Sequence, residues 1–327
     1  MNTVVLINVG TPQGSDPVSV GKYLNEFLMD ENILQIPRPW RDILVKWVIV
    51  PRRKYISAKK YQSIWTDLGS PLLVECEKLK IKLQSQLGSE WHVVLGMQVG
   101  QPSLANAIAT AKANGGKTVF APLYPQFAMA TTGGALQLTK KSLPGEKIES
   151  ILPFYSQQWF IKSLATVIKP YLQSDSHLLL SYHGLPVSHL KKHNSFCYQS
   201  NTCCTQSDSC EKNCYKAQCL KTSTLLQTEL GLQGLTVAFQ SRLGRGKWIE
   251  PSTQATVLRL AQSGIKNLVV ACPSFTVDCL ETLEEIGIEI RKEFLNAGGE
   301  KFKLVPCLND NDQFTRDLSA IILATLT

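Results

Sequence analysis

The sequence predicts an α/β protein of two similar doubly wound domains, each with a four-stranded parallel sheet. Its 327 residues are enough for two domains of ordinary size. Apolar, β-branched runs alternate with helical patterns, and the two halves of the chain share similar segments in the same order. Hydrophobic residues make up 44% and charged residues 18% of the chain, which excludes a disordered, coiled-coil or collagen-like protein.

Eight short apolar runs are predicted to be strands, because unbroken apolar stretches are typical of strands buried on both faces. Each run leads through glycine or proline turns into a longer helical pattern, the alternation expected of a parallel sheet. The runs are Thr3–Val9, His92–Val99, Lys117–Ala121, Lys147–Pro153, His177–Tyr182, Leu235–Gln240, Asn267–Ala271 and Lys301–Val305.

The two halves resemble each other. TVVLINVGTP is similar to HLLLSYHGLP, and GGKTVFAPLYPQF is similar to GIKNLVVACPSF. Any two α/β halves share some likeness, but the common order favours a duplication. We therefore expect Rossmann-like domains at 1–155 and 156–327, with the last helix a candidate to pack on the first domain. Parallel sheets bind ligands beyond the carboxyl ends of their strands, so we expect an active-site cleft between the domains.

The net charge of +8 is concentrated in one segment. Between Ile36 and Lys60, eight basic residues stand against one acidic residue, which is +7 in 25 positions. The rest of the chain is close to neutral, so no nucleic-acid surface is expected. Trp40, Ile43 and Trp47 recur there at helical spacing. This pattern fits tryptophans in the core, a helix at a membrane interface, or an apolar lip around a large hydrophobic anion.

The N-terminus predicts a cytoplasmic location. MNTVVLINVGTP has neither the basic nor the hydrophobic region of a signal peptide, and no stretch reaches about 18 apolar residues. In the cytoplasm, clustered cysteines more often hold metal or do redox chemistry than form structural disulfides.

Six of the ten cysteines fall within 23 residues, in a segment too polar to form a core. No CxxC pair occurs among them, which weakens a zinc-ribbon interpretation. The irregular spacing favours an iron–sulfur cluster, which needs four cysteines, with zinc or free or disulfide-bonded thiols as alternatives. The six candidates are Cys197, Cys203, Cys204, Cys210, Cys214 and Cys219.

Two features contain residues suited to catalysis. His183 directly follows a predicted strand, where an imidazole can accept a proton or bind a metal, although a hydrogen-bonded histidine at a strand end is an alternative. Asp278, Glu281, Glu285 and Glu289 follow one another at i, i+3, i+7 and i+11, on one stripe of an α-helix. That stripe is either a solvated acidic face or a ladder of carboxylates for protons or divalent cations.

Seven segments together resemble the ferrochelatase family over nearly the whole chain. They are LINVGTP, VGKYLNEFLMD, YQSIWTDLGSPL, PLYPQFAMATTG, SYHGLP, FQSRLGRGKWIEPST and CPSFTVDCLETLEEI, in the order of that family. The form of the third and seventh looks most like its proteobacterial branch. The resemblance implies a lyase that inserts Fe²⁺ into protoporphyrin IX and releases two protons, the last step of haem biosynthesis.

The resemblance also implies roles for individual residues. His183 matches the active-site histidine and Glu281 its partner carboxylate, and Asp278 and Glu285 match acidic positions behind them; all four are expected to handle the substrate iron. The segment at about 36–56 would be the lip over which porphyrin passes, in peripheral contact with the cytoplasmic (inner) membrane. The porphyrin-binding residues implied are Trp248, Tyr124, Pro125, Gln126, Trp40, Ile43 and Trp47.

The chain departs from the family pattern at several positions. Gln98 and Val99 stand where many members have an Arg-Tyr pair, and Cys279 stands where some have histidine. The cysteine-rich insertion at about 195–219 is mostly extra, and only Cys219 has a counterpart in simple bacterial members. Since some members carry a [2Fe–2S] cluster, the insertion is the expected place for one here.

Three rival functions remain open at this point. The nearest is a chelatase for another tetrapyrrole, coproporphyrin or sirohydrochlorin. The second is a non-catalytic porphyrin- or metal-binding protein with two α/β lobes. The third, a cysteine-rich nucleic-acid module, is disfavoured because the basic residues lie far in sequence from the cysteines.

Overall fold

The structure, a computed structural model, describes residues 1–193, 203–205, 208–242 and 246–326, with only the backbone of the helical residues 192, 193, 205 and 208–210. The chain divides into two compact units. The first comprises Met1–Leu123, Ala128–Leu152 and Asp310–Thr327, and the second comprises Tyr124–Phe127 and Pro153–Asn309.

The first unit contains a four-stranded parallel sheet in the order β2-β1-β3-β4. Its strands are β1 (Asn2–Asn8), β2 (Trp91–Met97), β3 (Thr118–Pro122) and β4 (Glu149–Ser150). The central strand β1 is buried from its second residue to its last. Burial on both faces explains why its sequence is an unbroken apolar run instead of an alternating one.

Helices surround this sheet. They are α1 (Pro17–Met29), α2 (Trp40–Ile43), α3 (Val50–Ile64), α4 (Pro71–Leu87), α5 (Leu104–Asn114) and α6 (Gly134–Ser142), with π-helical segments at Leu44–Ile49 and Met129–Gly133. Local sequence sets some of their ends. The Asp16 carboxylate accepts hydrogen bonds from the Val18 and Ser19 amides, and Pro17 occupies the first position of α1. Both are standard ways to start a helix.

The second unit repeats the same arrangement. Its parallel sheet has the order β6-β5-β7-β8, which matches the order of the first sheet strand for strand. The strands are β5 (His177–His183), β6 (Thr236–Gln240), β7 (Asn267–Ala271) and β8 (Lys301–Leu304). The predicted fold class, two α/β units with four-stranded parallel sheets, is therefore confirmed.

The helices of the second unit follow the same alternation with its strands. They are α7 (Gln158–Ile168), α8 (Val187–His193), α9 (Asp208–Asn213), α10 (Tyr215–Leu230), α11 (Thr253–Gln262) and α12 (Arg291–Asn296), with 3₁₀ turns at Lys169–Tyr171 and Cys203–Thr205 and a π-helix at Glu281–Ile290. The last helix of the chain, α13 (Asp312–Ala324), belongs to the first unit. There Lys82 of α4 donates a hydrogen bond to the Asp310 carbonyl at 2.6 Å.

All eight predicted strands are present, and seven of them end within two residues of the prediction. The exception is β4, predicted over Lys147–Pro153 but limited to Glu149–Ser150. It is the edge strand of its sheet, and Pro153 has no amide hydrogen with which to extend the ladder. One further bond, from the Ile151 amide to the Phe120 carbonyl, continues beyond the strand.

We expect Phe294→Ala to lower the free energy of unfolding by about 3–5 kcal/mol, because the ring is fully buried in the core of the second unit and its loss leaves a cavity. The neighbouring Leu295→Ala is the matched control. Leu295 is 37% exposed, so its truncation should cost about 1 kcal/mol or less. Urea denaturation followed by circular dichroism measures both, and equal losses would contradict this description of the core.

Candidate active site

His183 is the last residue of β5 and lies at the carboxyl end of the sheet of the second unit. Two side chains hold its backbone: its amide donates to Ser274 Oγ, and its carbonyl accepts from the Tyr215 hydroxyl, both at 2.9 Å. The ring is half-buried and meets Phe275 edge to face, with 6.0 Å between centroids. The main chain is thus fixed on both sides, and the imidazole remains available for chemistry.

The surroundings of His183 favour its neutral form. Burial lowers the pKa of the imidazole below its ordinary value of 6.5, because desolvation disfavours the cation. The Glu281 carboxylate and a hydrogen bond to the Gly184 backbone act in the opposite direction but do not outweigh burial. The ring is therefore neutral at pH 7, within electrostatic reach of a carboxylate, and able to accept a proton.

The acidic segment does not form the α-helical stripe that its spacing predicts. Residues Glu281–Ile290 form a π-helix, whose wider turn closes hydrogen bonds between residues i and i+5. Asp278 lies ahead of this helix, so the four acids do not follow one another along a single continuous helix. Asp278 is buried ahead of the helix, Glu289 is exposed, and Glu284, which the stripe leaves to one side, is buried.

Asp278 is held by hydrogen bonds on both carboxylate oxygens. Its Oδ1 accepts from Thr282 Oγ1 at 2.9 Å, and its Oδ2 accepts from the Cys307 amide at 3.2 Å and from Asn309 Nδ2 at 2.8 Å. These contacts join the start of the π-helix to the chain that follows β8. The geometry gives Asp278 an anchoring role, and its predicted role with iron stays a prediction.

Glu285 and the carbonyl of Glu281 are both bound by the end of β6. The Glu285 carboxylate accepts from the amide of Ser241 at 2.7 Å and from its hydroxyl at 2.6 Å. Gln240 Nε2 donates to the Glu281 carbonyl at 2.7 Å. Sequence reasoning did not single out Gln240 or Ser241. Their place at the carboxyl end of β6, the neighbour of β5, is the signal that could have found them.

Cys279 contacts the carboxylate of Glu281. Burial raises the pKa of the Cys279 thiol well above its ordinary value, and the neighbouring Glu281 charge raises it further. The thiol therefore keeps its proton and can donate a hydrogen bond to Glu281. Cys279 thus contributes a neutral donor beside the carboxylate.

Among the predicted porphyrin-binding residues, Trp248 packs against the chain that directly follows His183. Trp248 forms a bridge with Pro186, and a β-carbon at Gly184 would lie 3.3 Å from its ring. Gln126 is buried, donates to Thr222 Oγ1 at 3.2 Å, and has an Oε1 atom with no hydrogen-bond partner among the described residues. Tyr124 and Pro125 are also buried in the second unit.

The comparisons with known proteins assign the family. The sequence profile of the ferrochelatase family matches residues 1–326. The chain belongs to the ferrochelatase family. It is 43% identical to a ferrochelatase of Legionella pneumophila (strain Philadelphia 1), with 98% of each chain covered. It is 42% identical to a ferrochelatase of Pseudomonas fluorescens (strain Pf0-1), with 98% of this chain and 97% of that one covered.

Solved chelatase structures share the fold. The structure of SirB from Bacillus subtilis with Fe³⁺ has a TM-score of 0.57 at 10% identity, covering 99% of this chain and 95% of that one. The structure of CbiX, the terminal enzyme of sirohaem synthesis in denitrifying bacteria, has a TM-score of 0.51 at 11% identity, covering 100% and 99%. The predicted family and the predicted class of enzyme, a metal chelatase of haem biosynthesis, are confirmed, and the rival functions are not favoured.

The lip segment of this ferrochelatase-family member exposes its aromatic residues. Trp40 is 68%, Trp47 78% and Ile43 49% exposed, so the alternative that these residues pack into the core is wrong. Val45 and Arg41 take the buried positions of this helical segment instead. No helix in the described ranges is long and apolar enough to cross a membrane.

The structure describes the side chains of four of the six clustered cysteines. Sγ of Cys204 lies 3.9 Å from Sγ of Cys203 and 3.9 Å from Sγ of Cys214, and Cys219 is fully buried one turn into α10. The described cysteines form no disulfide, and the described residues contain no group of three arranged to hold a metal. Cys197 and the side chain of Cys210 lie outside the described part of the chain.

Proposed function

We propose that this protein inserts Fe²⁺ into protoporphyrin IX, with His183 as the proton acceptor and Glu281 as the opposing carboxylate. The observation that supports this best is the position of His183 at the carboxyl end of β5, where the Glu281 carboxylate acts on the pKa of its ring. Membership of the ferrochelatase family supports the pair of substrates.

Metallation exchanges two pyrrole protons for one Fe²⁺ and moves no electrons. A flat macrocycle directs its nitrogen lone pairs into the ring, so binding energy must favour a buckled shape close to the transition state. His183 can take a pyrrole proton because burial keeps its ring in the neutral form, which has a free nitrogen lone pair. The nearby carboxylate then stabilises the imidazolium that forms. The products are protohaem and two protons.

We also propose that the cysteine segment holds a [2Fe–2S] cluster. Two thiolates on one tetrahedral metal lie about 3.8 Å apart when each metal–sulfur bond is about 2.3 Å. The two Sγ–Sγ distances of 3.9 Å around Cys204 fit that separation. The described cysteines supply pairs at this separation and no group of three arranged for a metal, so the four ligands would be drawn from the six candidates as the cluster binds. Because metallation moves no electrons, a bound cluster would supply structural support or iron or redox sensing.

We further propose that the lip segment makes peripheral contact with the inner membrane from the cytoplasmic side. Exposed tryptophans beside basic side chains are typical of interfacial helices, because the rings enter the headgroup region while the cations meet anionic lipids. Trp40 and Trp47 are exposed, and Lys46 and Arg38 beside them are more than half exposed. Protoporphyrin is itself a large hydrophobic anion, and the same surface suits it.

We expect His183→Ala to reduce metal insertion about 100-fold or more, because it removes the proton acceptor, and Glu281→Gln to reduce it as well. Activity of the parent should fall on the acidic side of the ordinary imidazole pKa, because burial lowers the His183 pKa and the ring gains its proton only at lower pH. The Glu281 charge raises the His183 pKa, and Glu281→Gln removes that charge. The acidic limb of the pH–rate profile of this variant should therefore move to lower pH. Fluorimetric Fe²⁺ or Zn²⁺ insertion into protoporphyrin and coproporphyrin measures these rates. Near-normal turnover of both folded variants would show that the site is misassigned.

The cluster proposal predicts that anaerobically purified protein is coloured and contains iron and acid-labile sulfide in equal amounts. We expect Cys204→Ser to lose the visible absorption, since Cys204 lies between two other thiols. Cys76→Ser is the control, because Cys76 is buried in the first unit and the cysteine segment belongs to the second. A colourless protein with stoichiometric zinc would contradict the cluster.

The membrane proposal predicts that the protein co-sediments with phosphatidylglycerol vesicles. We expect the double variant Trp40→Ala, Trp47→Ala to bind at least tenfold more weakly, because each ring buries apolar area worth about 1.5–3 kcal/mol. Ile81→Ala, at a 66% exposed position on α4, should bind like the parent. Binding should also weaken as salt is added. Equal binding by all three proteins would disprove this role for the lip.

A further inference from the structure

Gln240 links the two candidate catalytic residues of the second unit. It is the last residue of β6, paired in register with His183, and only 4% exposed. Its carbonyl accepts from the Gly184 amide at 2.7 Å, directly after His183. Its Oε1 accepts from Ser181 Oγ at 2.7 Å, and its Nε2 donates to the Glu281 carbonyl at 2.7 Å. One side chain therefore joins the strand of the histidine to the first residue of the π-helix.

The orientation of this amide is set by its partners. The Glu281 carbonyl can only accept, so the atom facing it must be the Nε2 donor. Ser181 Oγ can then donate to Oε1 while it shares a second hydrogen bond, at 2.7 Å, with Thr253 Oγ1. A flipped amide would place two acceptors against each other. The hydrogen bonds can therefore be donated in one order only: Ser181 donates to Gln240, and Gln240 donates to Glu281.

The next residue strengthens the same connection. Ser241 binds both oxygens of Glu285, four residues beyond Glu281 on the π-helix. It does so with a φ of +69°, a left-handed conformation that is costly for a side chain other than glycine. The strained residue is held by two hydrogen bonds to a charged group. The end of β6 thus contacts the first part of the π-helix at two places.

We propose that Gln240 is a positioning residue for metal insertion, which holds Glu281 at its working distance from His183; this rests on the proposed function of that pair. A hydrogen bond of 2.7 Å to the backbone of Glu281 fixes the Cα from which the carboxylate projects. Of the two residues that Gln240 joins, Ser181 lies two positions before His183, and Glu281 is the candidate carboxylate itself. Misplacement by about 1 Å is enough to reduce an enzyme rate about 100-fold.

The same two strands offer a matched control. At the opposite end of β5 and β6, His177 Nε2 and Thr236 Oγ1 are also 2.7 Å apart. That contact joins the same strands without touching the site. The effect on activity of losing a side-chain hydrogen bond between β5 and β6 can therefore be compared at the site, through Gln240, and at the opposite end of the strands, through Thr236.

The experiment compares Gln240→Met, Gln240→Glu and Thr236→Val by steady-state metal insertion. We expect the Gln240 variants to lower kcat about 10- to 100-fold with little change in KM for porphyrin, because they leave the binding surface in place. Gln240→Glu keeps the shape and the Ser181 contact but cannot donate when ionised, so it tests the same bond if Gln240→Met fails to fold. Thr236→Val should keep the kcat of the parent.

A double-mutant cycle with Glu281→Gln separates positioning from general support. If Gln240 acts through Glu281, then Gln240→Met should cost less than threefold in the Glu281→Gln background. Two results would overturn the proposal. One is that Gln240→Met lowers kcat as strongly in the Glu281→Gln background as in the parent. The other is that folded Gln240 variants keep a normal kcat while Glu281→Gln is impaired. Full activity of Glu281→Gln itself would instead refute the proposed function of the pair.

Discussion

Burial of the central parallel strands on both faces is the constraint on which the rest of this molecule depends. Residues 178–182 of β5 are all buried, so a polar side chain within the strand must find a partner inside the protein. Ser181 does so with Gln240 and Thr253. An ionisable group such as His183 can reach a ligand only where the strand ends. The location of the candidate site at the carboxyl end of β5 follows from this constraint.

The three acids around the π-helix differ because their partners differ. Asp278 accepts three hydrogen bonds and joins two segments of the unit, and Glu285 accepts two from Ser241. Glu281 instead lies beside the Cys279 thiol and acts electrostatically on His183. Carboxylates of one short segment can thus have separate tasks. The hydrogen bonds that hold two of them make the third the best candidate for chemistry.

The features that set this chain apart from a plain α/β duplication lie in added segments. The lip interrupts the first unit with α2, a π-helical segment and α3, and it exposes two tryptophans to solvent. The cysteine segment extends into the first turns of α10, whose first residue, Tyr215, binds the His183 carbonyl. The cysteine segment is therefore connected to the backbone of His183 through a single hydrogen bond, the one that Tyr215 donates.

The sequence by itself determined the strands, the repeated order of the two units, the family and the place of His183 at a strand end. These follow from local signals, because an apolar run or a strand-ending motif is contained within a few neighbouring residues. Spacing failed for the acidic stripe, since it assumed one continuous α-helix, whereas Asp278 precedes a π-helix that begins at Glu281. The spacing also left three alternatives for the tryptophans. A helical period shows which residues share one face of a helix, but it does not show what that face contacts.

Only the tertiary structure decided that Trp40 and Trp47 are exposed, that Asp278 is an anchor, and that Gln240 joins β5 to Glu281. The physical reason is distance along the chain: Gln240 and Glu281 are 41 positions apart. Their hydrogen bond exists because parallel strands bring distant carboxyl ends to one edge of a sheet, which no local pattern encodes.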